Sequence, residues 1–470
     1  MRAPLRLVRA AWLFLLIEAA HSLAAERPAN FVAGELIVLN DNGAWSWFMD
    51  ERAIVADGKL VVGSVRAVKD FGAGRDDPNW GNVEVAVNDI NRGKAEHAIL
   101  DKHFEQDDHD GPARLALPDG RVLAVYTRHA VERKVFYRIS KPNDPLAWGP
   151  IQEVVTPGED SPPYTGSNVT YSNLFQMKSG RIYNFYRGFD YDPNYMVSDD
   201  QGQTWQLGGR LLQGRDGYGP YAKYAFDGDD TIHFVATEDH PRTYDNSLYH
   251  AFIRDSQVYG SDGTPFGPLS DSTDTELTAW DLTKVFQGAP DSVAWMVDLE
   301  LDADKRPCVI FSVQKDGRGL GRGEGGFDHR FHYACWDGAA WQTHEIAYAG
   351  TRLYPGEDDY TGLAAIDPRN PNIIYISTDA DPQTGEPLIS SADGKRHHEL
   401  FRGDTANVGA TWRWTPITAN STMDNLRPIV PKWDDPRTAL VWMRGTYRNN
   451  HGEWTTAVVA SILPVAKSQP

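Results

Sequence analysis

Cysteine is nearly absent from this chain of 470 residues: Cys308 and Cys335 are the only two. Such a chain is not a disulfide scaffold, although in an exported protein the two can pair. The fold must therefore rest on its own core. Positive charge is scarce too, with 46 Lys and Arg against 65 Asp and Glu and a formal net charge of −19. That balance argues against nucleic acid or an anionic membrane surface as partner. An anionic polysaccharide stays open, because exposed charges more than a Debye length of ~10 Å apart are largely screened. A membrane-spanning run is also missing at the N-terminus, where the apolar stretch Ala10-Ala11-Trp12-Leu13-Phe14-Leu15-Leu16-Ile17 falls far short of the roughly 20 residues a span needs. With Arg2, Arg6 and Arg9 before it and Ser22-Leu23-Ala24 after it, residues 1–25 read as a signal peptide, despite Glu18 beside the apolar core. The expected product is secreted or periplasmic, without a membrane anchor. Helical periodicity sustained over ten residues is hard to find after residue 30, which leaves an all-β class.

What the chain has is turns and aromatics: 42 Gly, 29 Pro, 15 Trp and 20 Tyr. They mark short strands joined by tight connections. One hairpin form recurs. It runs Arg52–Val55 to Lys59–Val65 around Asp57-Gly58, then Ala113–Leu117 to Arg121–Tyr126 around Pro118-Asp119-Gly120. It returns as Tyr171–Met177 with Arg181–Arg187, and from Tyr221 to Ile232–Thr237. Poorer turns follow in Val297–Leu301 with Cys308–Ser312, Leu363–Ile366 with Ile373–Ser377, and Arg427–Val430 with Ala439–Met443. Seven hairpins, each extended by a more polar outer pair, predict a seven-bladed β-propeller of four-stranded antiparallel blades as one domain over residues 26–470. A sandwich has no reason to repeat one hairpin seven times. Ser198-Asp199-Asp200-Gln201-Gly202-Gln203-Thr204-Trp205 fits the Asp-box pattern, a structural blade turn, and is the one clear example.

Hairpins that surround one axis bring their open ends to one rim. That rim carries His109 and His129, Tyr171 and Arg187, then Tyr221, Lys223, Tyr224 and His240, with Tyr360, Arg427 and Arg444 from later hairpins. Imidazole, phenol and guanidinium together suit proton abstraction next to a carboxylate. The guanidinium lowers the cost of a carbanion beside a carboxylate, and His or Tyr moves the protons. His109, His129, Tyr171 and Arg187 are the catalytic candidates, with Tyr221, Lys223, Tyr224, His240 and Arg427 as substrate-binding residues. Glycoside hydrolysis wants two carboxylates flanking the bond. Asp107, Asp108 and Glu238 are available but form a less compact set. Each candidate also has a structural alternative: a histidine bonded to a carbonyl, a tyrosine stacked in a blade, an arginine at a solvated strand end. His240 reads as structural rather than catalytic. Cys308, His332 and Cys335 give a zinc reading, although residues three apart on a strand face opposite sides.

The chain resembles the BNR-repeat seven-bladed propellers that include ulvan lyases, rhamnose–glucuronate lyases and related rhamnosidases. The resemblance is carried by Trp45-Ser46-Trp47-Phe48 with Asp50 and Arg52-Ala53, by Asp107-Asp108-His109 through His129, and by Tyr171 with Arg187. It extends through Tyr221–Ala225 to His240-Pro241, and through Tyr249–Phe252 with Tyr259 and Ser261–Thr264. It implies that a histidine at His109 or His129 and the phenol of Tyr171 exchange protons with substrate, while Arg187 neutralises a uronate. The implied activity is β-elimination at a rhamnosyl-α-1,4-glucuronate linkage of an anionic, uronate-containing glycan, by a monomer. A rhamnosidase-type hydrolase and a non-catalytic sugar-binding propeller are the alternatives. The resemblance allows a structural calcium or zinc; no organic cofactor is expected.

Overall fold

The computed structural model describes residues 27–67, 77–215 and 219–464. The signal-peptide segment 1–25 lies outside them. Among the described residues no helix is long and apolar enough to cross a membrane, and helix is confined to three short 3-10 turns.

Seven antiparallel sheets follow one another as blades, the first six built by chain-consecutive strands paired side by side. Blade one holds Ala53–Ala56, Lys59–Val65, Val83–Asp89 and Ala95–Asp101. Each predicted hairpin forms the inner two strands of a blade. Thus Ala113 pairs with Val125 in blade two, and Leu174 with Asn184 in blade three. The strands are buried on both faces, because neighbouring blades pack against each, so they lack clean polar alternation. Blade four is enlarged to six strands by Gln257–Gly260, Pro265–Pro268 and Thr283–Phe286.

Blade seven closes the ring. Its inner strands Asp424–Ile429, Thr438–Tyr447 and Trp454–Leu463 come from the end of the chain, and its outermost strand, Ile37–Asn40, comes from the beginning.

The segment after that strand, Ala44 to Asp50, is buried throughout and lies on the axis. Its contacts require this: Trp47 and Phe48 meet Tyr171, Tyr221, Trp295 and Tyr360 from the starts of blades three to six. Arg427 of blade seven bonds the Trp45 carbonyl, and Arg114 of blade two donates to the Glu51 carbonyl at 3.1 Å. Lys223 of blade four, 1 % exposed, donates to the Trp47 carbonyl at 2.8 Å and to Asp50 Oδ2 at 2.6 Å. The axial backbone pairs by single bridges at its two ends, Ala44 with Val65 and Asp50 with Asn173, and buried cations satisfy the carbonyls of Trp45 and Trp47 between them.

The Asp box forms as expected between the outer strands of blade three. Asp200 Oδ1 accepts from the amides of Gln203 and Thr204, and Ser198 Oγ accepts from Gly202 N. A second box, not expected from the sequence, occupies the same place in blade six. There Thr405, Asn407, Gly409, Thr411 and Trp412 repeat the pattern, with Asn407 Oδ1 accepting from Thr411 N at 2.9 Å. An amide oxygen can accept the same bonds as a carboxylate, and the substitution of Asn for Asp hid the motif.

Cys308 and Cys335 face each other on adjacent strands of blade five and form a disulfide. A cystine offers no thiolate, so the zinc reading of Cys308, His332 and Cys335 is corrected. His332 packs against Phe286 and Phe311.

Breaking a buried ion pair by removing one partner costs about 3–5 kcal/mol. Lys223→Ala is therefore expected to lower the thermal midpoint by several degrees in a calorimetric scan, with Asp50 keeping Arg52 but losing the shorter of its two ion pairs. An unchanged midpoint would show that the axial segment is held by packing alone.

Candidate active site

At the open ends of the hairpins lies a cleft of about 510 Å³, walled by His109, His129, Tyr171, Arg187, Tyr221 and His240, together with Tyr360 and Glu357. All four catalytic candidates are here. Lys223, Tyr224 and Arg427 are not. Lys223 belongs to the axial segment, Tyr224 stacks on Phe185 between blades, and Arg427 is a buried support. Arg444 bonds Asn30 instead.

The organising group is Asp107. It caps the short turn Asp108–Asp110, accepting from His109 N at 3.0 Å. Its Oδ1 also meets His109 Nδ1 at 2.6 Å, and its Oδ2 meets the Nδ1 atoms of both His129 and His451 at 2.8 Å. The rings of His109 and His129 stack at 3.8 Å, 7° from parallel. With Nδ1 turned to a carboxylate, each imidazole keeps Nε2 for the cleft.

The two histidines titrate apart. For His109, burial disfavours charge, but the Asp107 and Asp108 carboxylates outweigh it and raise its pKa to about 9. For His129, burial dominates and the neighbouring His109 charge adds to it, so its pKa falls to about 4 despite Asp107. At neutral pH the stack holds one proton more than two neutral rings, and His109 carries it. Behind His109, Asp108 is held by Arg427 and by Tyr447, whose hydroxyl lies 2.5 Å from Asp108 Oδ2. Arg427 thus keeps Asp108 ionised behind His109.

Tyr171 occupies a bulge at the start of the inner strand of blade three, with φ of +68°. A bulge re-aims a side chain, and this strained conformation turns the phenol to the cleft. Burial holds its pKa well above the ordinary value, so it stays protonated. Arg187 lies opposite Thr170 on the paired strand. It donates to Tyr221 Oη at 3.0 Å and to Thr170 Oγ1 at 2.9 Å, and its plane lies over the rings of Tyr171 and Tyr191. No carboxylate lies within ion-pair reach of Arg187 among the described residues, so its charge faces the cleft. His240 accepts from Arg242 N at its Nδ1, packs edge-on to Trp295, and is kept neutral by burial and the nearby Arg242 charge.

Sequence reasoning missed Tyr164, Tyr191, Arg242, Arg322, Glu357 and His451 on the cleft wall. His451 was within reach, because it follows the second strand of blade seven as His129 follows that of blade two. Glu357 had no local signal. It binds both Arg242 and Arg322, and is the one carboxylate among the described wall residues.

Asp107, His129 and His451, and separately His240, Glu357 and Asp359, bring ligand-type atoms close enough to hold a cation. In the first group the imidazoles already bond the carboxylate, and in the second Glu357 is bound by two arginines. On the axis, the Asp50 carboxylate is paired with the Lys223 ammonium at 2.6 Å.

A profile of the BNR repeat-containing family matches residues 76–349, more than half of the chain. The chain belongs to this family of propellers. Among solved structures it is similar to an ulvan lyase, described as a new family of polysaccharide lyase, PL25, bound to a GlcA(1-4)Rha3S saccharide. Identity is 14 %, coverage is 91 % of this chain and 95 % of that one, and the TM-score is 0.62. A second structure of a PL25 ulvan lyase aligns with a TM-score of 0.61 at the same identity. At that identity the likeness establishes the fold. No curated protein sequence matches.

If Asp107 sets the titration of the stack, Asp107→Asn should bring the His109 pKa well below about 9, read from imidazole proton shifts by NMR. A titration that stays near 9 would assign the effect to Asp108.

Proposed function

We propose that this protein is an exported polysaccharide lyase that cleaves a rhamnosyl-α-1,4-glucuronate linkage by β-elimination. The observation that carries the reading is one cleft holding a neutral imidazole, a cationic imidazole, a protonated phenol and an unpaired arginine, with its one wall carboxylate tied up by two arginines. A glycoside hydrolase needs two working carboxylates. Here Asp107 and Asp108 are buried and committed to histidines, and Glu238 accepts from Tyr249 and Ser247.

Arg187 neutralises the uronate carboxylate, which makes the proton at C5 more acidic. A neutral imidazole accepts that proton. Of the two histidines, the protonation states favour His129, whose Nε2 lone pair is free at neutral pH, with the His109 cation beside the developing negative charge. The electrons of the C5–H bond form the C4–C5 double bond, and the C4–O4 bond breaks. Tyr171 supplies the proton to the departing rhamnosyl oxygen. The products are a 4,5-unsaturated uronate and a saccharide ending in a free rhamnose hydroxyl. The similar ulvan lyase, bound to a GlcA(1-4)Rha3S saccharide, supports this choice of sugar units. The disulfide agrees with an oxidising, secreted or periplasmic location.

Folded variants assayed for ultraviolet-absorbing product on ulvan and on a rhamnosyl-glucuronate arabinogalactan test the reading. Tyr171→Phe should lose roughly 10²–10⁴-fold, and Arg187→Lys about 10²-fold, because the charge stays but the fork geometry goes. His129→Ala should fall further than His109→Ala. Wild-type rates in all four would move the chemistry elsewhere.

The same assignment fixes a pH profile. Activity needs His129 neutral and His109 charged. kcat/KM should fall on the acid side as His129 protonates near pH 4, and on the alkaline side as His109 deprotonates near pH 9. A single alkaline rise through pH 9 would instead make His109 the base.

A further inference from the structure

A second cavity adjoins the cleft and is larger, about 730 Å³. The two share Arg242 and Arg322 as a common wall, and Glu357 grips both guanidiniums from the cleft side. Part of the wall comes from one of the strands that enlarge blade four, Thr283–Phe286, and from the turn before it. The turn Ala279–Asp281 is fastened by Thr278, whose amide and hydroxyl donate to Asp281 Oδ2 at 2.8 and 2.6 Å. This turn presents Trp280, 44 % exposed, edge-on to Tyr244 at 6.4 Å. Lys284 on the next strand is exposed, and its ammonium bonds the Gln287 side-chain oxygen rather than a carboxylate.

The acids of this wall are mostly committed inward. Glu238 accepts from Tyr249 Oη and Ser247 N, and Asp358 from Arg352 and the Gly323 amide. Burial and the neighbouring Glu357 raise Asp359 to about 7. Asp245 is the exposed acid at the edge. What faces the space is an exposed indole with a phenol beside it, and the cations Lys284 and Arg322. Sugar rings bind in this way, with C–H faces on aromatics and carboxylate or sulfate groups on cations.

We infer that this cavity is a distal subsite that holds further sugar units of the same anionic glycan while one linkage lies in the cleft. The inference rests on the lyase reading for the identity of the glycan. It makes the enzyme a reader of chain length: a polymer spans both spaces, and a short oligosaccharide fills the cleft alone.

Two measurements separate this inference from the lyase reading. In the first, kcat and KM are determined on ulvan polymer and on an ulvan tetrasaccharide for wild type, Trp280→Ala and Lys284→Gln. The ratio of polymer KM to tetrasaccharide KM should rise about tenfold in Trp280→Ala and several-fold in Lys284→Gln. An unchanged ratio overturns the subsite. In the second, which needs no turnover, migration through gels containing ulvan compares wild type with Trp280→Ala, whose folding is checked by its melting curve. Retarded wild type and unretarded variant support the subsite even if neither makes unsaturated product, an outcome that would overturn only the lyase reading. Equal retardation, or no retardation of wild type, overturns the subsite whatever the chemistry.

Discussion

The molecule depends on a backbone segment that meets partner strands at its two ends and crosses the axis between them. Ala44 to Asp50 runs where seven inner strands converge, bridged to Val65 at one end and to Asn173 at the other, and its middle carbonyls take other donors. The fold answers with long cationic side chains reaching inward: Lys223 to Trp47 and Asp50, Arg427 to Trp45, Arg114 to Glu51. These bonds fix the position of Phe48 and Trp47, and those rings in turn support Tyr171, Tyr221 and Tyr360 from below. The floor of the cleft is therefore set by the axis rather than by any single blade.

Above that floor, one carboxylate makes two chemically identical side chains different. His109 and His129 share Asp107, yet His109 also has Asp108 and its Arg427 and Tyr447 supports, whereas His129 has only burial and a charged neighbour. Two histidines in contact repel when both are charged, so the environment decides which one stays neutral. Charged and neutral imidazoles are separated by surroundings, with the residue type unchanged.

The hairpins were legible in the sequence because a turn and its flanking strands are local. So were His109, His129, Tyr171 and Arg187, which stand at equivalent ends of two of them. The errors came from distance and from alternation. Lys223 stands two residues from Tyr221 at the same rim, but its partner, Asp50, lies far upstream, and nothing near Lys223 points inward. Tyr224 faces the gap between blades because successive residues of a strand face opposite ways. Arg427 reads as a rim cation until Asp108 is seen beside it. The left-handed conformation of Tyr171 had no sequence signal either, since it arises where the inner strand bulges against its partner.

The outermost strand of blade seven pairs Ile37 with Ala460. Contacts between residues so distant in the chain carry the full loop-closure entropy of everything between them, and folds rich in such contacts form slowly. As the chain folds, the first six blades can stack while the seventh still has an open edge, which is a site for unwanted strand pairing. The ring is therefore complete only when the final strand, Trp454–Leu463, accepts Ile37–Asn40 from the far side of all six other blades.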